Sequence, residues 1–315
     1  MSDNKSDEEQ QQQIAICAYV WLEVFAFIDW SLGSMRIRRA TDGNGAQIVN
    51  QHTDEWMPIP QGPLPNRVIG FKLLEIGYVD RSVIEFLEHN RLGSSGLNFL
   101  IDTDNNQNRS WKIIRQTIWP LVKDNIHGFY LWPSQWRRLR QISPTILRDC
   151  ANLRSIDSEC FPKFPAEDNA GASPARALAK WLLTPRGDGL PKMLDCNRYS
   201  AGMAGLKRSF VDASESVNFI IKFWVDERVY LLPFELMNNR TGERLTLRQL
   251  NEDDWMLVRC PIGREEDKWA KWEKEAIEWE RDRQWNLIAI NFFDNGIGDG
   301  LVEANEGPSV PVPTE

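Results

Sequence analysis

Apolar and polar residues alternate along this chain with two different periods, and the period switches repeatedly. Val68-Ile-Gly-Phe-Lys-Leu-Leu-Glu-Ile is strand-like. It leads into Asp80-Arg-Ser-Val-Ile-Glu-Phe-Leu-Glu, where Val83, Ile84 and Leu87 share a helical face and Asp80 can cap the helix. Leu97-Asn-Phe-Leu-Ile comes next, then a polar turn from Asp102 to Asn108. A helix follows with Trp111, Ile114 and Ile118 in line, and Pro120 should end or kink it. His127-Gly-Phe-Tyr-Leu-Trp repeats the strand pattern, and Ser134 to Ile142 the helical one. Leu153-Arg-Ser-Ile-Asp opens another unit. Its helix runs from Ser173 to Leu183, with Ser173 as cap and Pro174 at the first helical position. Pro191-Lys-Met-Leu-Asp-Cys, a helix from Ala201 to Phe210, and Val217-Asn-Phe-Ile-Ile-Lys-Phe-Trp complete the series.

With strand starts at Phe71, Leu97, His127, Leu153, Pro191 and Val217, the separations are 26, 30, 26, 38 and 26 residues. The long one contains the Pro/Ala/Gly-rich insert from Phe161 to Ala172. A strand–helix unit recurring at this interval predicts an α/β fold of leucine-rich-repeat-like units. Leu147-x-x-Cys150-x-x-Leu153-x-x-Ile156 has the apolar spacing of such a repeat's ridge, whereas the other units match it poorly. The alternative is a non-repetitive α/β sheet with helices on one side.

After residue 225 the texture changes to a mixed or antiparallel β region with one long helix. Arg228 to Asn238 is apolar and extended, Asn239-Arg-Thr-Gly-Glu is a turn signal, and Arg244-Leu-Thr-Leu-Arg-Gln-Leu alternates with period two, which together predict a hairpin. Trp255-Met-Leu-Val-Arg-Cys is a third strand. The helix is expected over 265–284, with Trp269, Trp272, Ala276 and Trp279 in one stripe; acidic residues lead, and Arg281 and Arg283 trail, in keeping with the helix dipole. Such a stripe either packs on its own sheet or forms a docking surface. Trp285 to Phe293 is a final strand. The organisation expected is therefore an acidic disordered tail at 1–13, a helix at 14–29, an α/β body at 30–225, a β-rich part at 226–304 and a disordered Pro-rich tail at 305–315.

Composition narrows the function classes. The 315 residues include 14 tryptophans and carry a net charge of −8, which argues against a nucleic-acid partner. The densest basic stretch, Trp136-Arg-Arg-Leu-Arg, is short and isolated. No window holds about 18 continuous apolar residues, so no membrane partner is expected. The N-terminus has no signal-peptide pattern, which places the chain in the cytoplasm or nucleus rather than outside the cell. Cys17, Cys150, Cys160, Cys196 and Cys260 are odd in number and widely spaced, and suggest neither a disulfide framework nor a zinc site.

Catalytic signatures are lacking. His52, His89 and His127 lie far apart, and none sits in a metal-ligand motif. Gly296-Ile-Gly-Asp-Gly follows the last expected strand with no helix after it, so it is not a phosphate loop of the usual kind. Glu252-Asp-Asp is a carboxylate cluster in a loop, where solvated charge is the default. No enzymatic role, no cofactor and no catalytic or metal residue is expected.

Cys17-Ala-Tyr-Val-Trp-Leu-Glu-Val-Phe-Ala-Phe-Ile-Asp resembles the first helix of an F-box, with Val20, Val24, Phe27 and Ile28 at its apolar positions. Ala179-Lys-Trp-Leu-Leu-Thr-Pro-Arg-Gly-Asp-Gly-Leu-Pro-Lys, Val217-Asn-Phe-Ile-Ile and Asp253-Asp-Trp-Met-Leu-Val-Arg-Cys-Pro-Ile look like the region that follows the F-box in the large nematode F-box families. The resemblance covers about nine tenths of the chain and implies a substrate receptor of an SCF-type ubiquitin ligase. Val20, Val24, Phe27 and Ile28 would contact a Skp-type linker and, through it, a cullin ligase, while the body holds an unknown protein target. The family pattern continues through two more helices. Here Phe27-Ile-Asp is followed at once by Trp30-Ser-Leu-Gly-Ser-Met-Arg-Ile-Arg, the expected first strand of the body, so the F-box looks truncated. The alternatives are a binding module that has lost ligase recruitment, an unrecognised enzyme, or a gene-model or splice artefact at the Asp29–Trp30 junction. Variable loops at Leu92 to Gly96, Asp102 to Asn108 and Phe161 to Ser173 are further contact candidates.

Overall fold

The alternation in Ser34-Met-Arg-Ile-Arg-Arg becomes strand β1 (Ser34–Arg39), which buries Met35 and Ile37 and exposes Arg36 and Arg38. The structure is a computed structural model describing residues 33–64, 70–90, 96–197, 199, 201–279, 284–298, 300 and 301. It is mixed α/β, with thirteen strands in parallel and antiparallel pairings, and divides into two compact units.

The smaller unit comprises the segments before residue 92, 106–121 and those from 290 onward. β1 pairs antiparallel with β2 (Ala46–Asn50), β2 with β3 (Trp56–Pro58), and β1 runs parallel to β4 (Leu73–Ile76), giving the order β4-β1-β2-β3. Of the strand expected over 68–76, residues 68 and 69 lie outside the described residues and the ladder begins at Leu73. Helix α1 (Arg81–His89) starts where expected, because the Asp80 carboxylate accepts from the Val83 N–H at 3.1 Å. The helix that starts with α2 (Asn108–Ile113) does not end at Pro120. It widens into a π-helical turn (Ile114–Ile118) that runs into α3 (Trp119–Val122). Proline has no N–H and crowds the carbonyl four residues back, and a wider turn just before it relieves both problems. The glycine-rich run is a packing device. Gly298 donates to the Val79 carbonyl at 2.7 Å, and a Cβ there would fall 2.4 Å from the Tyr78 hydroxyl.

In the larger unit, β5 (Leu97–Ile101), β6 (Ile126–Leu131), β7 (Ser155–Ser158), β8 (Lys192–Cys196) and β9 (Phe219–Trp224) lie parallel and side by side in chain order. Right-handed crossovers between neighbouring parallel strands place the connecting helices on one face: α4 (Pro133–Ile142), α5 (Ile146–Asp149), α6 (Pro174–Leu182) and α7 (Met203–Val211). Ser173 caps α6 through the Arg176 N–H, as expected. Phe99, Phe129, Ile156, Leu194 and Ile221 are fully buried along the middle of the five strands.

The chain then builds an antiparallel meander, β10 (Phe234–Asn238), β11 (Glu243–Gln249) and β12 (Asp254–Pro261), which joins the parallel strands through β9 and β12. The hairpin turn needs a left-handed residue, and Gly242 supplies it at φ +69°. The extended stretch from Arg228 joins the ladder only at Phe234, directly after Pro233, which lacks a ladder donor. Helix α8 (Glu266–Glu278) is shorter than the sequence suggested: Trp279 already has extended backbone at ψ 104°, and 280–283 lie outside the described residues. β13 (Leu287–Ile290) returns beside β5, where Asn98 donates to the Asn286 and Trp285 carbonyls at 2.9 and 2.8 Å. The order here is β10-β11-β12-β9-β8-β7-β6-β5-β13.

One ion pair is wholly buried. Arg259 on β12 donates to Glu243 on β11 at 2.6 and 3.2 Å, and both side chains are at most 2% exposed. The pair is fully committed, because Glu243 also accepts from the Val217 N–H at 2.9 Å and Arg259 donates to the Glu215 carbonyl at 3.0 Å. The guanidinium lies 5.2 Å from the Phe210 ring centre of α7.

Candidate functional site: the strand face of the larger unit

Val20, Val24, Phe27 and Ile28 lie outside the described residues, as do Leu92 to Ser95. The other two candidate loops are tied down. Arg138 of α4 donates to the Asn105 carbonyl at 2.9 Å, Arg140 to the Asn169 carbonyl at 2.6 Å, and Arg176 of α6 to the Pro165 carbonyl at 2.9 Å. Two arginines of the basic stretch are therefore spent on loop carbonyls. Glu252-Asp-Asp forms a turn held by the Asn251 side chain, which accepts from the Asp253 and Asp254 N–H groups at 3.0 and 2.8 Å. Among the described residues no His, Cys, Asp and Glu side chains cluster in a way that could hold a metal.

The parallel strands do bring side chains together. Their register aligns Asn98, Gly128, Ser155, Met193 and Ile220 in one row, and Leu100, Tyr130, Asp157, Asp195 and Lys222 in the next row on the same face. These positions alternate with the fully buried row that meets the helices, so they point to the opposite face. Asp195 and Lys222 form an ion pair at 2.7 Å, each under a fifth exposed. Burial pushes the Asp195 carboxyl up, and Lys222 pulls it back. In the sequence, Asp157 after Ile156 and Asp195 after Leu194 are single interruptions of apolar strands, and only the register brings them together.

Helix α8 lies on this face. Trp269 and Ala276 pack with Met193, Ile220, Met256, Val258 and Cys260, so the tryptophan stripe packs on its own sheet. Trp279 stacks on Tyr130, with ring centres 5.7 Å apart and planes inclined by 18°. Charge fixes the helix as well. Arg154, before β7, holds Glu275 with two bonds at 2.7 and 2.8 Å, and Glu273 sits between Arg248 and Arg264 at 2.6 Å from each. The hydrogen bonds of Arg264 to Glu266 and Glu273 raise its pKa despite burial.

Between α8 and the starts of β5 to β8 is a hollow of about 460 Å³, lined by Asn98, His127, Ser155, Glu275, Glu278 and Trp279 among others. Burial, reinforced by Arg154 and Arg186, lowers the His127 pKa and favours the neutral ring. The Ser155 hydroxyl is directed at the His127 backbone carbonyl, at 3.5 Å, so this pair has no nucleophile-and-base geometry. Gly128 leaves the Asn98 side chain its place here, because an added Cβ would stand 2.0 Å from the amide oxygen and force that side chain to shift. No protein-family model matches this chain, and neither a curated protein nor a solved structure is significantly similar to it.

Proposed function

We propose that the chain is a protein-binding protein of F-box type, a substrate receptor whose α/β body holds a protein target on the strand face of the larger unit. The observation that carries this reading is the half-buried row Asp157, Asp195 and Lys222, beside the part of the face that α8 covers, which places charged groups where a sheet closed on both faces would be apolar. Leucine-rich-repeat-like stacking of strand–helix units would make that face the binding surface. Val20, Val24, Phe27 and Ile28 would supply the contact to a Skp-type linker, and the linker the path to a cullin. The protein would work in the cytoplasm or nucleus without a cofactor.

A second reading is that the module has lost ligase recruitment and competes with longer relatives. β1 begins at Ser34, five residues after Asp29, and this leaves no length for two further F-box helices. Co-precipitation of the full chain with a Skp-type linker separates the readings. Binding that is abolished by alanine at Val20, Val24, Phe27 and Ile28 supports the receptor. No binding beside a longer relative that does bind supports the competitor. Binding that the four substitutions leave intact refutes the assigned contact.

A further inference from the structure

One cleft in the larger unit holds a buried cation that, among the described residues, makes no salt bridge, the one carboxylate of its lining, Asp188, being held by Arg186. It lies between α5, the turn at Thr184–Asp188 and the start of β8, and its volume is about 400 Å³. The floor is Leu147, Cys150, Leu153 and Trp181, all buried, and the rim is Arg148, Asn152, Arg186 and Asp188. Lys192, only 5% exposed, reaches into it. Its ammonium donates to the Thr184 carbonyl at 2.6 Å and to the Trp181 carbonyl, and lies 4.9 Å from the Trp181 ring centre. Those bonds satisfy carbonyls at the C-terminal end of α6. An ammonium has three N–H groups, and two are accounted for.

The rim cations are already paired, Arg148 with Asp168 at 2.5 Å and Arg186 with Asp188 at 2.5 Å. Among the described residues, no salt bridge forms to Lys192. Burial, with Arg186 and Arg148 nearby, lowers its pKa to about 7. A buried charge is costly unless it is paired, so the site gains from an incoming anion. The carbonyls that would repel one are covered by the ammonium itself. Cys150 adds no charge, because burial raises its thiol to about 12. The apolar floor and the indole favour an anion that carries an apolar body over a hydrated ion.

We propose that this cleft binds a small carboxylate with an apolar body, its carboxylate on Lys192 and its body against Trp181. The test is calorimetry on the full chain with benzoate, benzyl alcohol and inorganic phosphate. Benzoate should bind, benzyl alcohol and phosphate should bind at least about tenfold more weakly, and Lys192→Met should cost benzoate about tenfold or more. Arg148→Gln, on the rim, should weaken benzoate a few-fold and leave the fold intact. Wild-type binding should also weaken as pH rises above about 7, as Lys192 gives up its proton. If Lys192→Met does not fold, the Arg148→Gln and pH measurements decide. The proposal is overturned if benzoate shows no heat at about 10 mM, if phosphate or benzyl alcohol binds as well as benzoate, if folded Lys192→Met binds benzoate normally, or if wild-type affinity is flat with pH.

Discussion

Replacing Glu243 with Ala tests the energetics of the larger unit most directly. The substitution strips the buried Arg259 guanidinium of its counter-charge and leaves the Val217 N–H without its 2.9 Å acceptor. Breaking a buried pair by removing one partner costs about 3–5 kcal/mol, because the remaining charge stays desolvated, and an orphaned N–H adds about 1–3 kcal/mol. The two costs overlap, since the site relaxes once for both, so we expect a loss of about 4 kcal/mol in total. Arg259→Met should cost less than Glu243→Ala, because the stranded carboxylate can protonate and the methionine refills space beside Phe210. The double variant Glu243→Ala/Arg259→Met should lose much less than the sum of the two single losses. Urea unfolding of the three variants and the parent, followed by circular dichroism, measures these differences as shifts in midpoint at constant slope. A single-variant loss under about 1 kcal/mol, or losses that simply add in the double variant, would refute the argument that the pair is desolvated and coupled.

The remaining predictions concern other features of the same unit. Gly128→Ala should lose about 1–3 kcal/mol of stability, since its Cβ meets the Asn98 amide at 2.0 Å; adding Asn98→Ala should restore part of it, and equal stability of the single variant and parent by thermal melting would count against the close approach. Glu273→Ala leaves two arginines without their shared carboxylate and should cost about 1.5–3 kcal/mol, less at high salt; hydrogen exchange should show α8 loosening first. The lowered pKa of His127 means that below its unfolded value of 6.5 the unfolded chain binds more protons than the folded one. Stability should therefore fall as pH drops through about 6.5 toward the folded pKa, and His127→Asn should flatten that limb of the profile. Burial raises the thiols of Cys150 and Cys196, so iodoacetamide at about pH 8 should leave both unmodified in the folded chain; rapid labelling of either, read by peptide mass spectrometry, would contradict their burial.

Local chemistry in the sequence was enough to place several elements. Asp80 and Ser173 start helices because each supplies an acceptor to an unpaired N–H, and Asn239-Arg-Thr-Gly forms a hairpin because Gly242 tolerates positive φ. The succession from β5 to β9 follows from strand–helix spacing, whereas the first expected strand, starting at Phe71, falls in the smaller unit and pairs with β1. Three features escaped. The backbone around Pro120 can lose its proline conflict by kinking, ending or widening, and composition does not choose among them. β13 pairs beside β5 across a separation of 187 residues, and no periodicity encodes such a partnership. The charged row Asp157, Asp195 and Lys222 depends on register between strands, which only the assembled sheet supplies. Each of these carboxylates looks like an ordinary interruption in its own strand.

The late return of β13 has a consequence during synthesis. Asn98 waits for the carbonyl of Trp285, which leaves the ribosome 187 residues later. At about 5–20 residues per second, β5 spends roughly 10–40 s with that edge unpaired. Leu97, Phe99 and Ile101 are apolar, and an open apolar edge invites pairing with other chains. Truncation before Leu287, or a ribosome stalled there, should therefore yield aggregates or chaperone-bound chains, whereas the complete chain closes its own seam.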